Sequence, residues 1–190
     1  MYRQYMRFDP LKTTQAAAVV LRQHNGHASR LRLLKILVIA DREALAETLE
    51  AITADQVCAM DHGPVPSRTY NMLRGISFDS ATWNIFIAQD GPQEHRLISD
   101  PGVGKLSRYE IEKIQEVCDR FRNENDYALA HYTHTFAEWE RHKPSKGSSK
   151  PIPLDDILEA IGLQDQANRI HQNIAESDEV DRLLGGAKEA

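Results

Sequence analysis

The strongest hydrophobic pattern in the chain lies in residues 29–49. Leucine, isoleucine and valine recur there at the three- and four-residue spacing of a helix, and they cover more than one of its faces. A helix that is apolar around most of its circumference is normally buried. We therefore predict a helix at the centre of the fold, which begins near Ser29 and continues toward Leu49.

Helix signals before and after this segment predict a mainly helical protein. Asp9 can accept the free amides of a helix start and Pro10 suits the first helical position, while Asn25-Gly26 ends that pattern. Ser107 and Glu110 form a capping box before a clear helical period. Shorter helices are predicted at 66–73, at about 127–133 and around 135–143.

One segment predicts β-structure. Trp83, Ile85 and Ile87 alternate with polar residues, a turn follows at 90–92, and Leu97 lies beyond the turn. We expect one small β-hairpin here and no other β-structure.

The composition changes at residues 144–153, where proline, glycine and serine are typical of a linker. Three short apolar stripes follow and predict three short helices, which cannot form a core alone and must pack on the main body or on a partner. We expect a compact helical domain at 1–143, a linker at 144–153 and an acidic helical extension at 154–190.

Composition and charge narrow the setting. The chain has 190 residues, two cysteines and a net charge of −5. No apolar run is long enough for a membrane span and no secretory signal is recognisable, so we expect a cytoplasmic protein without membrane contact. The first 43 residues carry eight basic and three acidic residues, whereas 151–190 carry three basic and nine acidic ones. Solvation or internal pairing is the favoured interpretation of the acidic end, and contact with a basic partner is the alternative.

The sequence offers weak candidates for catalysis. Cys58, Asp61 and His62 are a thiol, an acid and a base, but Gly63-Pro64 favours an extended backbone that directs neighbouring side chains apart. A buried cysteine and a hydrogen-bonded histidine are the favoured interpretation of these residues. We therefore predict no catalytic residue.

Metal, nucleotide and DNA sites are also weakly supported. His131, His134 and Glu138 can share a helical face, yet they lack the fuller ligand sets of zinc sites. The GxGK sequence at 102–105 lacks the spacing of a phosphate-binding loop. We predict no metal and no cofactor. Operator DNA is considered as a partner because the central helix carries four basic residues: Arg30, Arg32, Lys35 and Arg42. It is the less favoured partner, because that helix is too apolar to lie in a groove.

An ordered series of motifs resembles the Panacea domain, the SocA-like antitoxin family of bacteria and phages. The similarity begins with LRLLKILVIADREAL at 31–45 and continues with ITADQVCAMDHGPVPSRTYNML at 52–73. It includes Leu106-Ser107 with Glu110, and then Thr133-His134 followed by Trp139. Val38 and Ala54 depart from the residues usual in the family.

The resemblance implies a helical domain that neutralises a cognate protein toxin by binding it. It also implies an alternative, an adaptor that delivers the toxin to a protease. An enzyme that reverses the toxin's modification is kept as a further alternative. A homodimer is left open. The family-motif residues are the candidates for toxin contact: Met60, His62, Gly63, Pro64, Val65, Tyr70, His134 and Trp139.

Overall fold

The computed structural model describes residues 8–185, and the predicted mainly helical class is confirmed. No helix in this part of the chain combines the length and the apolar character that crossing a membrane requires. The helices are α1 (Pro10–Gln23), α2 (Arg30–Thr48), α3 (Ser67–Leu73), α4 (Ser80–Phe86), α5 (Arg108–Arg120), α6 (Asp126–Thr133), α7 (Ala137–Arg141), α8 (Leu154–Ala160) and α9 (Ala167–Gly185), with a 3-10 turn at Gln164–Gln166.

Helix α2 is the centre of the core, as predicted. The hydroxyl of Ser29 caps it by accepting from the amide of Arg32 at 3.0 Å, and every residue from Leu33 to Asp41 is buried. Helices α1, α5 and α6 pack around α2. Burial on all sides explains why its apolar residues are not confined to a single stripe.

Helix α1 begins at the predicted cap. The carboxylate of Asp9 accepts from the amides of Leu11 and Lys12 at 2.9 and 3.0 Å, and Pro10 is the first helical residue. All residues from Thr13 to Leu21 are buried. The capping box that begins α5 is also confirmed.

The β-structure is more extensive than the single hairpin expected. The described residues contain two three-stranded antiparallel sheets, in the orders β1-β5-β4 and β3-β2-β6. The strands are β1 (His27–Ser29), β2 (Val57–Met60), β3 (Gly63–Pro66), β4 (Ile87–Gln89), β5 (Glu94–Leu97) and β6 (Lys150–Pro151).

The expected hairpin itself is partly confirmed. Strands β4 and β5 pair around the predicted turn, but Trp83 and Ile85 belong to α4. Trp83 is buried at 1% exposure, whereas Ile85 is 60% exposed, so the two side chains face different surroundings. Buried Ser80, Trp83 and Ile87 follow helical spacing, and the alternating pattern was a coincidence of that spacing.

The C-terminal residues pack on the rest of the chain. Strand β6 extends the β2-β3 hairpin, and Ile152 and Leu158 are fully buried at 0% exposure. Ile170 and Ile174 of α9 join the same core. The last two of the three helices expected here are one continuous helix, α9. The division into domain, linker and extension stays a prediction.

Several acidic residues of this segment pair with basic residues of the chain itself. Arg141 contacts Asp156 at 2.9 Å and Glu159 at 2.8 Å, and His171 contacts Asp155 at 2.6 Å. These pairs agree with the favoured interpretation of the acidic end as internally paired. Their partners come from residues 141–171 and not from the basic first 43 residues.

Leu158→Ala tests whether α8 is part of the same cooperative unit. Removing this buried side chain is expected to lower the free energy of unfolding by about 2–5 kcal/mol. Chemical denaturation followed by circular dichroism measures the change. Asp165→Ala, at an exposed position nearby, is the control and should leave stability unchanged. A separate early transition in Leu158→Ala would show that the segment unfolds on its own.

Candidate functional site

The β2-β3 hairpin carries most of the candidate residues. Met60 pairs with Gly63 across a two-residue turn formed by Asp61 and His62. Gly63 has φ = +96°, a conformation that L side chains rarely adopt. The family motif at 60–65 is therefore a tight hairpin turn followed by a buried strand.

Gly63 is also required because three side chains approach its backbone. A Cβ at this position would overlap Thr133 Oγ1, lie 2.9 Å from Lys35 Nζ and lie 3.3 Å from His134 Cδ2. Thr133 is fixed in turn by a hydrogen bond from its hydroxyl to the carbonyl of Ala130 at 2.8 Å. The hairpin thus lies directly against α2 and the C-terminal end of α6.

Lys35 of α2 is the most unusual charged residue beside the hairpin. Its side chain is 0% exposed, and its Nζ donates to the carbonyl of Pro64 at 2.7 Å. Burial in this apolar setting lowers the pKa of Lys35 to about 7. Lysine is almost never fully buried without a charged partner, so this position is an exception that needs a function.

His134 and Trp139 support the hairpin from behind. Their rings stack with centroids 4.1 Å apart and planes within 6° of parallel. The indole N–H of Trp139 donates to the carbonyl of Met60 at 3.0 Å. Burial and the nearby Lys35 lower the pKa of His134, which favours the neutral ring in the stack.

An open cleft of about 620 Å³ lies over the hairpin, between α2, β5 and the start of α6. Leu31, Leu34, Met60 and Val65 give it apolar walls, and Lys35 forms part of its boundary. Its volume is in the range of ligand- and peptide-binding sites. The remaining lining residues are Ser29, Arg30, Asp61, His62, Gly63, Tyr70, Gln93, Glu94, Asp126, Tyr127, Gly147 and Ser148.

The structure therefore brings most of the candidate contact residues together. Five of the eight line the cleft: Met60, His62, Gly63, Val65 and Tyr70. The other three do not line it. Pro64 accepts the bond from Lys35, and His134 and Trp139 lie behind the hairpin.

The structure separates the candidate catalytic and metal residues only in part. Asp61 accepts from the amide of Gly147 at 2.7 Å, and burial raises the pKa of the Cys58 thiol. The rings of His131 and His134 are in contact with centroids 6.1 Å apart, but the carboxylate of Glu138 is bound by Arg42 at 2.6 Å. Among the side chains that the structure describes, no group of three or more acidic, histidine or cysteine residues is placed to hold a metal ion.

The basic residues of α2 are used inside the fold and do not form a row toward solvent. Arg30 donates to Gln93 at 2.6 Å, and Arg32 pairs with Asp126 at 2.9 Å. Arg42 binds Glu138 and lies over the ring of Phe136, 4.3 Å from its centroid. Because Lys35 is buried as well, α2 presents no basic surface of the kind that phosphate contacts require.

Two important residues were not identified as site residues from the sequence. Tyr127 is 77% exposed at the edge of the cleft, and nothing in its local pattern distinguishes it. Lys35 was considered for DNA contact, although its place inside an apolar run was a signal of burial. Both positions depend on how α2, the hairpin and α6 meet.

These features define the class of protein, a mainly helical domain with a preformed cleft. The family model for SocA-like antitoxins with the Panacea domain matches residues 33–140. This match covers more than half of the 190 residues, so the chain belongs to that family. No curated protein and no solved structure gives a significant match. The family implies a toxin as partner.

Gly63→Ala tests the close approach at the hairpin. The added Cβ has to adopt a positive φ and displace Thr133 and Lys35, so we expect a loss of about 2–4 kcal/mol in unfolding free energy. Gly26→Ala is a matched control, because Gly26 has φ = +84° but no atom within 4 Å of the Cβ position. It should cost roughly 1 kcal/mol. Equal losses in the two variants would contradict the packing argument.

Lys35→Met tests the charge burial through pH dependence. Below a pH of about 7 the folded and unfolded states both carry the proton, and the full cost of burying it is present. Above that pH the folded state loses its proton while the unfolded state keeps it up to about pH 10, so wild-type stability rises. The stability of Lys35→Met relative to wild type should therefore fall between about pH 7 and about pH 10.

Lys113→Met is the matched control for this measurement. Burial alone would lower the pKa of Lys113, but the hydrogen bonds that its Nζ donates to Glu116 and Glu47 outweigh it and raise the pKa above its ordinary value. Both states then stay protonated over the same pH range, and the loss in this variant should be constant. Denaturation curves at several pH values measure both effects. A constant difference for Lys35→Met would show that Lys35 does not titrate there.

Proposed function

We propose that this chain is an antitoxin that neutralises a protein toxin by binding it directly, and that the cleft over the β2-β3 hairpin is the main contact surface. The observation that carries the proposal is the meeting of the family-motif residues Met60, His62, Gly63, Val65 and Tyr70 in one cleft. The lining of this cleft also includes residues from distant parts of the chain, at 29–35, 93–94, 126–127 and 147–148. Partner binding explains such a shared surface, which folding alone does not require.

The composition of the cleft supports a protein partner. Four of its lining residues are apolar, namely Leu31, Leu34, Met60 and Val65, and Tyr70 and the exposed Tyr127 also line it. Exposed tyrosines beside apolar pockets are typical of the residues that dominate binding energy at protein interfaces. The free thiols Cys58 and Cys118 are consistent with action in a reducing cytoplasm.

The exposed acidic residues of α9 supply a second part of the proposed contact. Glu176 and Glu179 are exposed. Toxins that act on RNA or nucleotides need basic surfaces, and carboxylates at a complementary position increase the association rate. Because α8 and α9 are packed into the core, charge substitutions test this idea better than removal of the segment.

Two other functions predict different behaviour in cells. A protease adaptor protects a cell while the host protease is present and fails when that protease is deleted. An enzyme that reverses the toxin's modification acts at substoichiometric amounts and fails in folded His62→Ala or His134→Ala variants. Direct binding requires a stoichiometric complex and persists without the protease.

Tyr127→Asp tests the cleft. Tyr127 lies in the first turn of α6, where an acidic residue is favourable for the helix, so folding should be retained. We expect toxin binding to weaken by roughly tenfold or more, because the aromatic contact is replaced by a charge. Growth of cells that express the toxin encoded by the neighbouring reading frame, together with co-purification, measures the effect.

Phe78→Asp and the Glu176→Gln/Glu179→Gln double variant are the comparisons. Phe78 is 97% exposed and outside the cleft, so Phe78→Asp should protect like the wild type. The double variant should slow association without abolishing protection. Loss of protection in Phe78→Asp with full protection by Tyr127→Asp would move the contact to the exposed apolar surface near Phe78 and overturn the cleft proposal.

A further inference from the structure

Two lysines in the described part of the chain are buried, and their surroundings are opposite. Lys113 has carboxylates around it, with Glu47 and Glu116 each 2.8 Å from its Nζ and Glu43 at 3.7 Å. Lys35 is more deeply buried, yet its Nζ donates one hydrogen bond, to the carbonyl of Pro64. None of the described carboxylates forms an ion pair with Lys35. An ammonium has three N–H donors, so this single bond leaves two of them without a partner among the described side chains.

Two of the three acidic residues that line the cleft are engaged elsewhere, and the third, Glu94, is exposed. Asp126 binds Arg32 at 2.9 Å and the hydroxyl of Ser29, and Asp61 accepts from the amide of Gly147. Leu31, Leu34, Met60 and Val65 line the same cleft as Lys35. Lys35 thus places a positive charge without a counter-ion at the boundary of an open cleft that has apolar lining residues. This arrangement is complementary to a negatively charged group flanked by apolar side chains.

We propose that the cleft binds a segment of the toxin that presents an aspartate or glutamate carboxylate to Lys35 between apolar side chains. This inference rests on the proposed function and names the chemistry by which the toxin is recognised. The occupied cleft excludes water, so the attraction between the carboxylate and the ammonium is stronger than at an open surface. Truncating either partner then leaves a buried charge unpaired.

A proton is taken up when this complex forms. In the free protein the pKa of Lys35 is about 7, so above that pH most molecules carry a neutral amine. The entering carboxylate stabilises the ammonium form, and the amine gains one proton from the buffer as the ion pair forms. Binding above neutral pH should therefore be accompanied by net proton uptake, which a purely apolar contact does not produce.

Other titratable and charged groups lie around Lys35 and have to be separated from it. They belong to α2, the hairpin turn, β5 and both ends of α6: Arg30, Asp61, His62, Glu94, Asp126, His131 and His134. The difference in proton uptake between wild type and Lys35→Met removes the contributions of these groups, apart from a change at His134, whose pKa Lys35 lowers.

The experiment begins with a random peptide library displayed on phage and selected on the full chain. We expect the enriched peptides that compete with the toxin to share an acidic residue between apolar ones. Isothermal titration calorimetry at about pH 8 in two buffers of different ionisation enthalpy then gives both affinity and proton uptake. Replacing the acidic residue of the peptide by its amide, or Lys35 by Met, should weaken binding by roughly thirtyfold or more and remove the lysine's share of the proton uptake.

Controls separate this inference from the proposed function. Lys35→Met removes a buried charge but also the hydrogen bond to the carbonyl of Pro64, so circular dichroism and thermal unfolding have to show that the variant keeps the wild-type fold. Lys150→Met, an exposed lysine outside the cleft, should bind like wild type. If wild type forms no complex with the toxin, the proposed function fails. If wild type binds the toxin and Lys35→Met binds it equally tightly with the same proton uptake, the carboxylate proposal is overturned while direct binding stands. Enriched peptides without acidic residues would overturn it as well.

Discussion

The hydrogen bond from Lys35 to the carbonyl of Pro64 joins the central helix to the hairpin that lines the cleft. For Nζ to reach that carbonyl, the hairpin backbone has to lie against α2, and glycine at position 63 is the residue that leaves room. The same close packing places Thr133 and His134 next to the turn. The indole N–H of Trp139 donates to the carbonyl of Met60 on the other side of the turn. One buried polar contact thus organises residues from three parts of the family motif.

Local signals were sufficient for most helices and insufficient for the strands. Asp9, Ser29 and Ser107 cap helices that start where their side chains predict. Strands β1 and β6 have three and two residues, and they form by pairing with segments far away in the chain. No periodicity can develop in so few residues. Trp83 shows the reverse error, because apolar residues two apart were interpreted as a strand although burial follows helical spacing.

The candidate site divides in the same way. The resemblance identified the residues of the hairpin. The positive φ of Gly63 explains why glycine stands at that position. It did not predict that Tyr127 would lie at the edge of the same cleft, since that depends on the packing of α6 against α2. Lys35 is notable because no described carboxylate pairs with it. The sequence cannot show this, since it depends on where the neighbouring side chains lie in the fold.

The position of α1 has a consequence for the synthesis of the protein. Its buried Gln15 bonds to the carbonyl of Pro101 and the amide of Lys105, both at 2.8 Å, and the helix packs against α4 and α5. These partners leave the ribosome long after α1 does. The nascent chain therefore carries an uncovered apolar helix during most of its translation, which is the state that chaperones bind and that aggregates. For the proposed antitoxin, the time needed to restore protection in a cell includes this interval, so the elongation rate enters its balance with the toxin.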